Sequence, residues 1–158
     1  MQALKCGLNL KVAEMRTVLW AGILLVSNHV AAETKTSAQT LAGFYDALAH
    51  GDVAAASAAL ADDVTIFESG YVERSKREYV GHHLIEDIEF AKATTRKLLH
   101  QSEKVTTNLA VIESETETTG TFQGKLIHLY CTETAVLANV DGRWTMQHIH
   151  WSSRKAKK

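Results

Sequence analysis

Asp141-Gly142 constrains this chain more than any other feature. The pair sits between two long runs of β-type residues, Lys125 to Val140 and Arg143 to Ser153. Asp-Gly readily takes the positive φ angles of a two-residue hairpin turn, so the flanking runs must pair antiparallel. Upstream, Val105, Val111, Ile112 and a Thr-rich stretch to Phe122 predict two further strands, broken near Asn108. From Leu98 onward the chain therefore reads as four long strands.

The preceding segment reads differently. Ser37 can cap a helix to about His50, with Leu41, Phe44, Tyr45 and Leu48 on one face and Gly51 as its stop. Asp52 caps an Ala-rich helix from Val53 to Ala61, and Val64 to Phe67 is a short strand ended by Ser69-Gly70. Ser75-Lys76-Arg77-Glu78 is a capping box that opens a third helical region, interrupted at Gly81 and running to Ala91. Three helices and a short strand followed by four long strands predict an α+β domain. Its N-terminal helices should pack on one face of a strongly curved, mainly antiparallel sheet. With 158 residues and 46% of them hydrophobic, one core is affordable, and no linker or repeat suggests a second domain.

Residues 1–32 read as a signal peptide. Lys5, Lys11 and Arg16 precede the apolar stretch Val18 to Val26, and Val30-Ala31-Ala32 supplies small residues at the cleavage positions. The competing reading is an amphipathic first helix. Cleavage would leave a single domain over 33–158 in the periplasm or outside the cell. It would also remove Cys6, leaving Cys131 without a disulfide partner. The apolar stretch is too short to span a bilayer. A formal charge of −1 lacks the basic excess that nucleic-acid binding requires.

Glu133-Thr134-Ala135-Val136, Asp141-Gly142-Arg143-Trp144 and His148-Ile149-His150-Trp151-Ser152 together resemble the terminal hairpin of the nuclear-transport-factor-2-like superfamily. The closest resemblance is to its SnoaL-like branch and to the association domain of calcium/calmodulin-dependent kinase II. The resemblance implies a cone-shaped cavity, with the segment holding Glu73, His82, His83 and Asp87 covering its mouth. It also implies dimerisation through the outer sheet face.

Hairpin arithmetic then assigns side chains to faces. Without a bulge, paired residues across Asp141-Gly142 sum to a constant, which sets Trp144 opposite Asn139, Met146 opposite Leu137, His148 opposite Ala135 and His150 opposite Glu133. One face thus collects Trp144, Met146, His148, His150, Leu137, Ala135, Glu133 and Cys131, a largely apolar pocket with a polar end. A second turn at Gln123-Gly124 sets Ser114 beside Glu133 and Thr116 beside Cys131. The opposite face receives Ile149, Trp151 and Tyr130, an apolar patch suited to a homodimer.

The candidate site is therefore His150 oriented by Glu133, with His148 beside it. Trp144, Met146, Leu137 and Cys131 line the pocket, and Glu73 or His83 reaches in from the helical side. A carboxylate-oriented imidazole can serve as a general acid or base, although the same pair could simply lock the hairpin. His82 and His83 also read as ordinary surface histidines. No HExxH or other close-spaced ligand motif is present, so neither a metal nor another cofactor is expected. Two functions follow. One is an exported domain that binds a small apolar molecule, acting as a cofactor-independent isomerase, cyclase or dehydratase. The other is a non-catalytic dimeric binding or association module of the bacterial envelope.

Overall fold

The computed structural model describes residues 34–157, so the signal-peptide reading of residues 1–32 falls outside the described residues. Helix α1 (Ser37–His50) starts one residue earlier than expected in its capping. Thr36 is the cap, with Gln39 completing a capping box, and Gly51 closes the helix in the left-handed conformation at φ 75°. Ser37 instead donates its hydroxyl to Glu103. Asp52 caps α2 (Val53–Ala58), which stops short of Ala61 because Leu60 already pairs with Met146 as the first residue of β1 (Leu60–Glu68).

Ser69 and Gly70, both at positive φ, turn the chain into a short strand that the sequence did not announce, β2 (Tyr71–Glu73). Ser75 caps α3 (Lys76–His82), and the chain breaks at His83, not Gly81, before α4 (Leu84–Ala93). Four long strands follow: β3 (Thr94–Val105), β4 (Leu109–Phe122), β5 (Lys125–Val140) and β6 (Arg143–Lys155). The β4–β5 and β5–β6 turns fall at Gln123-Gly124 and Asp141-Gly142, with positive φ at all four residues.

The sheet order is β2-β1-β6-β5-β4-β3, antiparallel throughout except for the parallel β1–β6 pair. The result is the α+β architecture expected, with helices on the concave side of a curved, open sheet. The core lies between them. Leu41, Phe44 and Leu48 of α1 and Leu84 and Ile88 of α4 are buried with Ile112, Leu137, Met146 and Ile149 of the sheet.

Gly120 allows α4 to run into β3 against β4. A Cβ there would lie 2.6 Å from the Ala93 carbonyl oxygen and 2.8 Å from the Thr94 Cα, both backbone atoms that cannot swing away. Gly120→Ala is expected to destabilise the domain by about 1–3 kcal/mol, as overpacking does. Denaturant unfolding of the two proteins measures it.

The β4–β5 register matches the arithmetic along its whole length, including Ser114 opposite Glu133 and Thr116 opposite Cys131. The β5–β6 register matches only as far as Leu137–Met146. Gln147 is then left unpaired as a bulge, after which Val136 pairs with His148, Ala135 with Ile149, Thr134 with His150 and Glu133 with Trp151. The extra residue lets Met146 and Ile149, three apart, both face the core, where both are fully buried. It also turns every later side chain to the other face.

Candidate functional site

Glu133 is the centre of the site. Its position on β5 points it to the concave side, where it is only 5% exposed. Its Oε2 accepts from the Tyr45 hydroxyl of α1 and, at 2.7 Å, from the Trp151 indole N–H of β6. The same indole lies 2.9 Å from the Tyr45 oxygen, so the three groups form a closed triangle. Among the described residues Oε1 is buried with no hydrogen-bond partner, and its nearest cation is Arg96 Nη2 at 4.0 Å. Burial pushes the Glu133 pKa up from 4.5 to about 7, against the opposing pull of the Trp151 N–H. Near neutral pH the group is thus shared between acid and carboxylate.

Arg96 enters from β3, with its guanidinium stacked 3.7 Å from the centroid of the Tyr45 ring. Partial burial lowers its pKa, and among the described residues its guanidinium donates no hydrogen bond. These groups line a cavity of about 180 Å³, bounded by Leu48 of α1, Phe90 and Ala91 of α4, Leu129 and Cys131 of β5, and Thr116 and Thr118 of β4.

A second carboxyl lines the same cavity. Asp87 of α4 accepts a 2.6 Å hydrogen bond from Tyr79, whose ring is buried in the core. Burial lifts the Asp87 pKa to about 6, and Glu68 is raised for the same reason. Burial and the nearby Asp87 also drive the Tyr79 hydroxyl far up, so it stays a donor. Glu68 and Trp151 are shared with a neighbouring recess of about 230 Å³, which contains Tyr79, Glu73 and His83. There His83 Nδ1 lies 2.5 Å from Glu73 Oε1.

The structure separates the residues that the unbulged register had joined. Glu133, Cys131 and Leu137 do face inward, but His150 and His148 do not. His150 is exposed and opposite Thr134, while His148 meets Thr65 at 2.8 Å and the edge of the Phe67 ring on the convex face. Their orientation follows from the Gln147 bulge, which buries Ile149 in preference to an imidazole. The same bulge takes Ile149 and Trp151 out of the expected convex patch. Met146 is in the core and Trp144 packs against it, so neither lines the cavity. Glu73 and His83 pair with each other beside the cavity, not within it.

Three side chains that surround Glu133 were missed: Tyr45, Arg96 and Trp151. Tyr45 carried a signal, since a phenol on the buried face of a helix needs a polar partner. Arg96 carried none. Among the described residues no three His, Cys, Asp or Glu side chains converge to hold a metal ion. No helix among them is long and apolar enough to cross a membrane.

Comparison with known proteins agrees with this fold. A candidate ketosteroid isomerase from Shewanella frigidimarina is 34% identical, with a TM-score of 0.71, covering 76% of this chain and 98% of that one. A candidate dehydratase of the nuclear-transport-factor-2-like family from Streptomyces avermitilis is 19% identical at a TM-score of 0.63, covering 74% and 92%. A candidate calcium/calmodulin-dependent protein kinase II association domain from Xanthomonas campestris is 20% identical at 0.60, covering 78% and 92%. No curated protein matches the sequence. Residues 38–154 match the SnoaL-like domain, and the chain belongs to that family.

Proposed function

We propose that this domain binds a small, largely apolar molecule in its cavity and moves a proton on it without a cofactor, as an isomerase or dehydratase does. The observation that carries the reading is Glu133, a buried carboxyl with a pKa near 7 and one unpartnered oxygen. A group poised at the working pH can give up or take a proton with little cost. Asp87, titrating about one unit lower on the same cavity, is the more readily ionised of the two. The assignment that follows is Glu133 as the acid that polarises a ligand oxygen and Asp87 as the base that takes a proton from carbon. The ketosteroid-isomerase and dehydratase likenesses support this class of chemistry.

Deuterium exchange tests it. A panel of small cyclic and aromatic ketones, with and without a carboxylate, followed by NMR in heavy water, should contain members whose α-protons exchange faster with enzyme. Glu133→Gln and Asp87→Asn should each slow that exchange by about a hundredfold or more. Exchange unchanged in both variants would sink the proposal.

A dimeric association module is the second reading. It draws on the likeness to association domains and on the convex face, where Phe67 is 40% exposed against His148 and Leu99 46% exposed beside Tyr130. Light scattering should then give twice the chain mass. Export to the periplasm or medium, with cleavage after Ala32, belongs to either reading. Intact-mass analysis of native material tests it.

A further inference from the structure

We propose that the cavity takes a small apolar carboxylic acid as its carboxylate, held between the Arg96 guanidinium and the protonated carboxyl of Glu133. The inference deepens the proton-transfer reading, because it rests on Glu133 holding a proton beside a ligand. It adds the class of ligand.

Hydrogen-bond bookkeeping leads to it. Glu133 Oε2 already accepts two donors, Tyr45 O–H and Trp151 N–H. An oxygen so engaged is a poor place for a proton, so the acidic hydrogen belongs on Oε1, which has no partner. Arg96 Nη2, 4.0 Å away and too far for a direct hydrogen bond to Oε1, is a second donor without an acceptor among the described residues. A buried donor at Glu133 and a half-exposed one at Arg96, side by side at the cavity wall, leave a place for lone pairs and, at Arg96, for a negative charge. Tyr45 fixes both, with its ring under the guanidinium and its hydroxyl on Glu133.

The rest of the cavity narrows the choice. A neutral carbonyl would meet the Arg96 guanidinium only as a dipole, whereas a carboxylate also gains a charge-assisted hydrogen bond from it. A dianionic phosphate would meet Glu68, Asp87 and Glu133 around one cation. A monocarboxylate that shares the Glu133 proton satisfies both donors with one charge, and its apolar body meets Leu48, Phe90 and Leu129.

The groups facing Glu133 set the expected pH dependence. These are Tyr45 from α1, Glu68 from β1, Asp87 from α4, Arg96 from β3 and Cys131 on its own strand. β4 and β6 contribute only uncharged side chains, Ser114, Thr116 and Trp151. Since the bound state keeps the Glu133 proton, affinity should fall as pH rises through its pKa, by about tenfold per unit above it.

Calorimetric titration of the purified protein with phenylacetate and with its neutral isostere phenylacetamide tests the proposal. Phenylacetate should bind at least about tenfold more tightly, take up a proton on binding, and weaken from about pH 7 to about pH 8. Arg96→Gln should lose about tenfold or more in affinity, and Arg96→Lys should recover part of it. Glu133→Gln should bind phenylacetate with the pH dependence gone, because its amide N–H replaces the proton on Oε1. Unfolding curves and NMR spectra verify that each variant is folded. If phenylacetamide binds as well, if Arg96→Gln binds as tightly, or if phenylacetate fails to bind at millimolar concentration, the anion assignment is wrong. In those cases a Glu133 still titrating near neutrality by isotope-edited NMR leaves the proton-transfer reading standing. A Glu133 that titrates in the ordinary carboxylate range removes both.

Discussion

Ile149→Ala is expected to destabilise the domain by about 2–5 kcal/mol, the usual cost of truncating a buried aliphatic side chain. His150→Ala should change stability by less than about 0.5 kcal/mol, as surface substitutions do. The contrast between neighbours comes from the Gln147 bulge. Ile149 is fully buried, opposite Ala135 and Ile66, whereas His150 is exposed on the convex face. A regular hairpin would reverse the ranking, with Ile149 in solvent and His150 in the cavity. Urea unfolding of the two variants therefore reads the register directly. A costly His150→Ala with a neutral Ile149→Ala would mean that the bulge is absent and that the imidazole belongs to the site.

That single residue marks where the sequence stops being legible. Helix caps at Asp52 and Ser75, the stop at Gly51 and both two-residue hairpin turns follow from local chemistry, because each is fixed by a few neighbouring residues. The β4–β5 register follows too, since no bulge interrupts it. A bulge has no such local signature. It is selected by which side chains the core accepts, and here the core accepts Ile149 over His148. The error it introduced was confined to one strand, yet it exchanged the histidines for Trp151 in the site. Glu133 survived because β5 is fixed from its other side by β4. Arg96 was invisible for a different reason. It lies at the far edge of the sheet and reaches the site through the stacking on Tyr45, a contact between residues on different elements that no spacing encodes.

Glu133→Gln is expected to stabilise the folded domain at alkaline pH while leaving it nearly unchanged in acid. In the wild type, the unfolded chain releases the Glu133 proton near the ordinary value of 4.5, but burial delays release in the folded state to about 7. Between those values folding retains a proton that the unfolded chain has lost, so stability declines as pH rises and levels off above the folded pKa. The difference amounts to roughly 3 kcal/mol from this one carboxyl. Glutamine keeps an oxygen to accept from Tyr45 and Trp151 and cannot ionise, so the variant escapes the decline. Asp87, also raised by burial, still produces its own fall at lower pH, between 3.8 and about 6. Urea unfolding at several pH values should give stabilities that coincide at about pH 4, diverge between about pH 4.5 and about pH 7, and run parallel above that, with the variant the more stable. Stabilities already parallel between about pH 4.5 and about pH 7 would mean that Glu133 ionises in the folded protein as easily as in water. Such a carboxyl would be solvated, without the neutral-range proton that makes this cavity a place for chemistry.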